Sequence, residues 1–319
     1  MTPPTVLSSA PTAARPATTA AAASNARAMR YGIVLGAPRS GTTYLMSVFN
    51  SLPAVEALTG TVLPTAIPHV VNQDISPDVY DALAVGFERA LDAYLHSGRY
   101  RSRAAALQKW VRAPSGLAGL RRAWRSERTE SLFVYKEPFL SFAPEFVLDA
   151  LPAAKIVHIY RDGRDVANSL VKTYNVLTDE ALTTLQGSEM RIGRRVGDRY
   201  VPWWVPAEES EAFLGATPYV RAIWMWSYML RRCHEAFTAP AVSDSGRVLT
   251  IRYEDFVRDP VATGEAILAH YGVAPTRSFR RQLAKARTTS IGKHEQRPPE
   301  EIAAAERVAG ETLALYGYL

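Results

Sequence analysis

The stretch Tyr31-Gly-Ile-Val-Leu-Gly-Ala-Pro-Arg-Ser-Gly-Thr-Thr-Tyr-Leu45 reads as a strand, a tight turn bounded by glycines, and the start of a helix. Ile33, Val34 and Leu35 form a short apolar run suited to a buried parallel strand. Gly36 and Gly41 bracket four residues, after which Thr42 and Thr43 open an apolar segment running to Phe49. A glycine at each end lets the backbone turn with its N–H groups pointing inward, and the helix N-terminus adds partial positive charge. This is a cradle for a phosphate. A nucleotide-hydrolysing P-loop carries Lys and then Ser or Thr after the second glycine. Here Thr42 holds the Lys position, and the cation is Arg39, inside the loop. The departure points to a phosphate-bearing donor handled without the usual nucleoside-triphosphate and magnesium arrangement.

Three more apolar runs have strand character: Leu132–Tyr135, Lys155–Tyr160 and Val248–Ile251. Each is followed by a polar or charged turn and then a helical pattern. Strand and helix in alternation predict an α/β architecture with a central parallel sheet. In such sheets ligands bind beyond the carboxyl ends of the strands, so the residues just after each run are the candidates. Between the runs, residues from about Ser76 to Trp124 read as mostly helical, with a break at Pro114–Gly119. Residues Thr178–Thr217 carry an aromatic patch, Tyr200-Val-Pro-Trp-Trp-Val-Pro206. Insertions of this kind, about 76–130 and 178–217, are expected to be mostly helical and to build the acceptor side of the site. Tyr219–Phe237 has helical spacing, and Pro299–Leu315 reads as a Pro-initiated helix.

The chain has 319 residues, about half of them apolar, enough to bury a sizeable core. A single Cys, Cys233, excludes an internal disulfide framework and suits a reducing compartment. No apolar run approaches the roughly 18–20 residues that span a bilayer. Residues 1–29, rich in Ala, Pro, Thr and Ser, lack the apolar core of a secretory signal and read as a disordered tail ahead of a single domain over 30–319. A cleaved organelle-targeting peptide is the alternative; the expected location is the cytoplasm. The net charge of +6 owes much to the segment Arg99–Arg128. That segment is either a solvated helical face or an attraction for an anionic donor, an anionic acceptor or a membrane surface in peripheral contact. No nucleic-acid motif accompanies it.

A second segment carries chemistry: Lys155-Ile-Val-His-Ile-Tyr-Arg-Asp-Gly-Arg-Asp-Val-Ala-Asn-Ser169. Arg161 falls at the carboxyl end of a strand. Asp162 is a natural N-cap, with Asp165 three residues on in a position like that of a capping box. Ser169 lies two turns into the helix, roughly 10 Å along it. Arg161 and Ser169 can therefore meet one anion beside the helix, distinct from the one in the glycine loop. The plain alternative is that Arg161 pairs with Asp162 or Asp165.

Two phosphate sites on strand ends, without the P-loop Lys, resemble those of the sulfotransferases that use 3′-phosphoadenosine-5′-phosphosulfate, in particular the bacterial and Golgi-like branch. Gly36-Ala-Pro-Arg-Ser-Gly-Thr-Thr43 looks like their 5′-phosphosulfate loop. Arg161 and Ser169 have the spacing of their 3′-phosphate pair, Ile251-Arg-Tyr-Glu-Asp-Phe256 is similar to the signature after their last core strand, and Ser290-Ile-Gly-Lys293 resembles their late cofactor-binding loop. The resemblance implies a three-layer, P-loop-like α/β fold and in-line transfer of a sulfuryl group to a hydroxyl, less readily an amine, of a small-molecule or lipid-like acceptor. Pro38, Arg39, Ser40, Gly41, Thr42 and Thr43 would hold the donor's 5′ end. Arg161, Ser169, Ser290, Gly292 and Lys293 would hold its 3′ end.

Sulfuryl transfer gives negative charge to the bridging oxygen of a leaving phosphate, which loop N–H groups, Arg39 and the hydroxyls of Thr42 and Thr43 can stabilise. The sulfuryl group carries less charge than a phosphoryl group, so no metal is expected. The acceptor still needs a base. By resemblance, Val134-Tyr-Lys-Glu-Pro138 is the catalytic strand end, with Lys136 on the phosphosulfate and Glu137 taking the proton; the alternative is an ordinary ion pair. The His that serves as base in the cytosolic branch has no counterpart here, and His69 in Ile67-Pro-His69 is the other candidate. Trp224 or Trp226 would stack on the adenine or else pack in a core, and Tyr253, Glu254 and Asp255 would hold the fold together. His96, His158, His234 and His270 show no metal-ligand spacing. The competing functions are a P-loop kinase or nucleotidase, and a non-catalytic nucleotide-binding protein of the same fold.

Overall fold

The computed structural model describes residues 30–60, 66–96, 107, 110–111, 132–184 and 192–319. The expected tail over 1–29 and the cations of the basic segment Arg99–Arg128 lie outside these residues. Five parallel strands form the central sheet: β1 (Arg30–Leu35), β2 (Val55–Thr59), β3 (Leu132–Lys136), β4 (Lys155–Tyr160) and β7 (Val248–Arg252), in the order β2-β3-β1-β4-β7. A short antiparallel pair, β5 (Arg194–Val196) and β6 (Arg199–Val201), stands apart from it.

Strand β1 lies at the centre, with Val34 level with Lys136 of β3 and with Val157 of β4. Its side chains alternate between two cores, as the period of two requires. Val34 joins a cluster with α1 (Thr42–Phe49) and with the helices after β7, namely α9 (Tyr253–Arg258), α10 (Pro260–Tyr271) and α11 (Arg277–Leu283). Ile33 and Leu35 face the other layer, made by α3 (Pro77–His96), α4 (Pro144–Ala150) and the end of α7 (Pro218–Thr238). Both faces are covered, which is why the strands read as unbroken apolar runs.

A third cluster lies beyond the sheet, where α5 (Gly163–Tyr174), α7 and α12 (Pro299–Leu315) meet the second insertion. Thr217 caps α7 through a hydrogen bond from the Val220 N–H, and Pro218 fills its first turn. Buried Arg221 on α7 donates to the carbonyls of Phe213 (2.9 Å) and Leu177 (2.8 Å), fastening both ends of the insertion to one helix. The remaining short helices are α2 (Ile67–Val70), α6 (Ser210–Gly215) and α8 (Pro240–Ser243).

Two elements differ from the sequence reading. Strand β2 is an edge strand with Glu56 as its second residue and a half-buried pattern, so it has no apolar run to announce it. Strands β5 and β6 bring a hairpin into an insertion expected to be mostly helical, closed through Gly197 at φ 62° and Asp198. A Gly-Asp pair between short strands is ordinary hairpin chemistry. No described helix is long and apolar enough to cross a membrane.

Candidate active site

The glycine loop joins the end of β1 to the first turn of α1. A Cβ on Gly36 would stand 2.2 Å from the carbonyl oxygen of Ile159 in β4, so only glycine lets the loop cross there. The Gly36 N–H donates to Ser141 Oγ at 2.9 Å, a contact the sequence does not announce. Arg39 sits at φ 74°, a left-handed conformation that a long side chain adopts at a cost. Helix α1 starts from Gly41 with no side-chain cap and no acidic residue in its first turn. Its N–H groups are therefore left to an outside acceptor, and an anion suits them best.

Beyond β4 the second site assembles on the first loop. Arg39 Nε donates to Ser169 Oγ at 2.9 Å, and its guanidinium also reaches the hydroxyl and ring of Tyr174. Arg161 donates to the Arg39 carbonyl at 3.2 Å and to the Ser290 carbonyl, lies over the Tyr253 ring and pairs with Asp165 at 3.3 Å. Tyr253 OH and Ser290 Oγ are 2.9 Å apart. The structure thus brings Arg39, Arg161, Ser169 and Ser290 into one continuous set of contacts. Gly292 and Lys293 follow on the same late loop, with Lys293 exposed. The pairing of Arg161 with Asp165 coexists with these contacts, while Asp162 pairs with Arg164 at 2.8 Å.

Asp162 caps α5, accepting from the Arg164 N–H at 2.9 Å. Asp165 does not complete a capping box. The Asp162 N–H goes instead to buried Glu254 at 3.2 Å, which ties the helix start to α9, and Asp165 turns to the late loop. Trp224 and Trp226 are both buried. Trp226 donates to the Arg161 carbonyl at 3.1 Å, and its ring occupies the space a Cβ on Gly163 would need. Both tryptophans pack the core.

Lys136 and Glu137 end β3 beside the loop, and both are buried. Lys136 Nζ donates to Thr43 Oγ1 at 3.3 Å. Burial lowers the Lys136 pKa, Glu137 works against that, and the nearby Arg39 charge lowers it further. Glu137 is pushed up by burial, against the Phe139 N–H and Lys136. Its Oε1 accepts that N–H at 3.2 Å and so caps the 3-10 turn Pro138–Phe142.

His69 lies among Phe139, Phe142 and Trp203, with ring centroids 5.2–6.3 Å away. Trp203 Nε1 donates to its Nδ1 at 3.0 Å. Indole can only donate, so the proton of the neutral imidazole sits on Nε2. Burial pushes the ring pKa down to about 4. At neutral pH, then, His69 offers a donor at Nε2 rather than a base. Among the described residues no three His, Cys, Asp or Glu side chains cluster as a metal site would require.

A model of the sulfotransferase family matches residues 33–277, from the first strand to α11. The chain belongs to the sulfotransferase family. Solved structures of sulfotransferases are similar to it at low identity. The sulfotransferase domain of the Synechococcus PCC 7002 olefin synthase is 18% identical over 91% of this chain and 97% of that one, with a TM-score of 0.48. A sulfotransferase from Alicyclobacillus acidocaldarius is 19% identical, covering 90% and 96%, with a TM-score of 0.43. Mouse sulfotransferase SULT7A1, complexed with PAP, is 13% identical, covering 89% and 85%, with a TM-score of 0.40. Comparison with curated proteins gives no match.

Two buried polar atoms in this sulfotransferase suit a donor with two phosphates. Ser40 Oγ in the glycine loop and Arg161 Nε have no hydrogen-bond partner among the described residues. Buried polar groups are normally satisfied, and these two stand one on each half of the expected grip. The residues present fit a nucleotide carrying both a 5′- and a 3′-phosphate.

Proposed function

We propose that this chain moves a sulfuryl group from 3′-phosphoadenosine-5′-phosphosulfate to a hydroxyl of a small-molecule or lipid-like acceptor. The observation that supports it most is the joining of Arg39 to Ser169, with Arg161 bonded to the Arg39 backbone, inside a chain of the sulfotransferase family. Arg161 and Ser169, with Ser290, Gly292 and Lys293, hold the 3′-phosphate. The loop from Pro38 through Ser40 to Gly41, with Arg39, Thr42 and Thr43, holds the 5′-phosphosulfate. Lys136, beside Thr43, meets the oxygen between phosphorus and sulfur. Glu137 accepts the proton of the acceptor hydroxyl while its oxygen bonds to sulfur and the sulfur–bridge bond breaks. Adenosine 3′,5′-bisphosphate leaves with the negative charge that Arg39, Lys136 and the N-terminus of α1 stabilise.

Of the two base candidates, Glu137 is the better. A buried carboxylate with a raised pKa is a competent acceptor near neutrality. His69 already carries its proton at Nε2, so its role is to donate to the acceptor side.

A thermal-shift comparison tests the donor. Ligand at a hundredfold excess over Kd stabilises the native state by about 2.7 kcal/mol. Adenosine 3′,5′-bisphosphate without metal is expected to raise Tm, and ATP with magnesium is not. The reverse result overturns the reading in favour of a kinase or nucleotidase. Transfer of labelled sulfate to a panel of alcohols, phenols and amines tests turnover, and its absence with a bound bisphosphate would favour a non-catalytic protein.

A further inference from the structure

Asp165 is a buried carboxylate, 2% exposed, that the reaction outlined above does not use. Each of its contacts goes to something that carries the donor's 3′ side. Oδ2 accepts the Gly292 N–H at 2.8 Å and pairs with Arg161 at 3.3 Å. Oδ1 accepts the His294 N–H at 2.9 Å and lies 2.9 Å from His294 Nδ1. Burial alone would raise its pKa, but the two His294 bonds, Arg161 and the Gly292 N–H together hold it below the usual carboxylate range. It is therefore charged, and that charge is already matched by fixed donors.

The segment it grips is held at several points, and Asp165 is the one side chain among the described residues that bonds the Gly292 N–H. Ser290–Gly292 is irregular backbone, with Gly292 at φ 72° in the left-handed region. Before it, the Ser290 carbonyl takes a bond from Arg161. After it, Asn168 on the next turn of α5 donates to the Lys293 carbonyl at 3.3 Å and accepts from Arg297 at 3.1 Å. Arg161 just before α5 and residues 165 and 168 on it thus form one face that holds the late loop, with Tyr253 bonded to Ser290 from the other side. Asp165 is the member of that face that joins the Arg161 guanidinium to the loop backbone.

We propose that Asp165 is a positioning residue for the donor's 3′-phosphate: it holds Arg161 and the Ser290–Lys293 loop in a single arrangement, and selectivity for a 3′-phosphorylated nucleotide depends on it. The proposal rests on the donor assignment above. Asp165 itself does not touch the nucleotide, since a carboxylate beside a phosphate would repel it. It acts through the direction it gives to Arg161 and to the loop N–H and hydroxyl groups. A buried hydrogen bond to a charged group makes a difference of about tenfold or more, so its effect on selectivity is measurable.

The test is calorimetric titration of the full chain with adenosine 3′,5′-bisphosphate and with adenosine 5′-monophosphate, with Tm recorded for each variant. Wild-type protein is expected to prefer the bisphosphate. In Asp165→Asn, nearly the same size but facing two N–H donors with an amide, that preference is expected to fall about tenfold or more, with monophosphate affinity changed less than about twofold. An equal loss for both nucleotides, or an unchanged preference, overturns the proposal. If Asp165→Asn does not fold, His294→Ala decides, because it removes one donor and leaves the backbone bonds. There a loss of preference of about threefold is expected, and no loss overturns the proposal. A wild-type protein without any preference overturns the donor assignment, and the role of Asp165 falls with it.

Discussion

Arg39 Nε donates to Ser169 Oγ at 2.9 Å, joining residues that are 130 positions apart in the chain. Arg39 comes from the loop after β1, and Ser169 from the second turn of the helix after β4. The bond therefore ties the two proposed phosphate half-sites together at the level of side chains, and the Arg161 bond to the Arg39 carbonyl repeats the link through the backbone. Replacing Ser169 by Ala removes an acceptor from Arg39 and a hydroxyl from the 3′ side. The expected outcome is a donor KM about tenfold higher with kcat changed less, the size of one hydrogen bond to a charged group. Initial-rate kinetics with varied donor checks this, and an unchanged KM would remove Ser169 from the grip.

Gly36→Ala tests the close passage of the loop after β1 beside the end of β4. The added Cβ would meet the Ile159 carbonyl at 2.2 Å in a residue at φ 148°, so both space and backbone conformation oppose it. The loop must shift, at a cost of about 1–3 kcal/mol for the conformation alone. Thermal unfolding is expected to show a lower Tm, and donor affinity is expected to fall with it. A variant as stable as wild type would mean that the loop has room that its contacts with Ile159 deny.

The sequence disclosed the parts of this molecule that are fixed by local periodicity. Strands β1, β3 and β4 are mostly buried and so read as apolar runs, and β7, half-buried at the other edge, still keeps Val248, Leu249 and Ile251. Edge strand β2, interrupted by Glu56, gives no such signal. The spacing of Arg161 and Ser169 was readable because both lie near or on one helix. What Asp165 does was not. Its short-range position suggests a cap, but its partner Gly292 is 127 residues away. The same holds for His69, whose tautomer is set by Trp203 at a separation of 134 residues. Contacts of that range follow from the packing of whole elements, so no local pattern records them.

His69 makes stability depend on pH with a definite sign. Unfolded His titrates near 6.5, whereas burial holds the folded ring neutral down to about 4. Between these values the unfolded state binds more protons, so stability falls as pH drops from about 6.5 to about 4. The loss attributable to this residue is up to roughly 3 kcal/mol at 1.36 kcal/mol per pKa unit. Buried His158, pushed down to about 3, adds to the fall with the same sign. Denaturant unfolding of His69→Gln, which keeps an acceptor for Trp203, is expected to show a smaller loss between pH 7 and pH 5 than wild type. Equal losses would mean that His69 is protonated in the folded state.

Glu137→Gln separates the capping role of Glu137 from its proposed role as base. As a cap, it needs only an oxygen for the Phe139 N–H, and an amide oxygen supplies one, so Tm is expected to stay within a few degrees of wild type. As a base, it needs a carboxylate, and its loss is expected to lower kcat by about 10²–10⁴-fold. The pH profile carries the second half of the argument. Burial raises the Glu137 pKa above the ordinary carboxylate value against the opposing pull of the Phe139 N–H and Lys136. Only the ionised form can take a proton, so kcat/KM is expected to climb with pH through that raised pKa and to level off above it. In Glu137→Gln the remaining activity is expected to lose this acidic limb. A variant that keeps both kcat and the limb would assign Glu137 to capping alone and place the base on another group of the acceptor side.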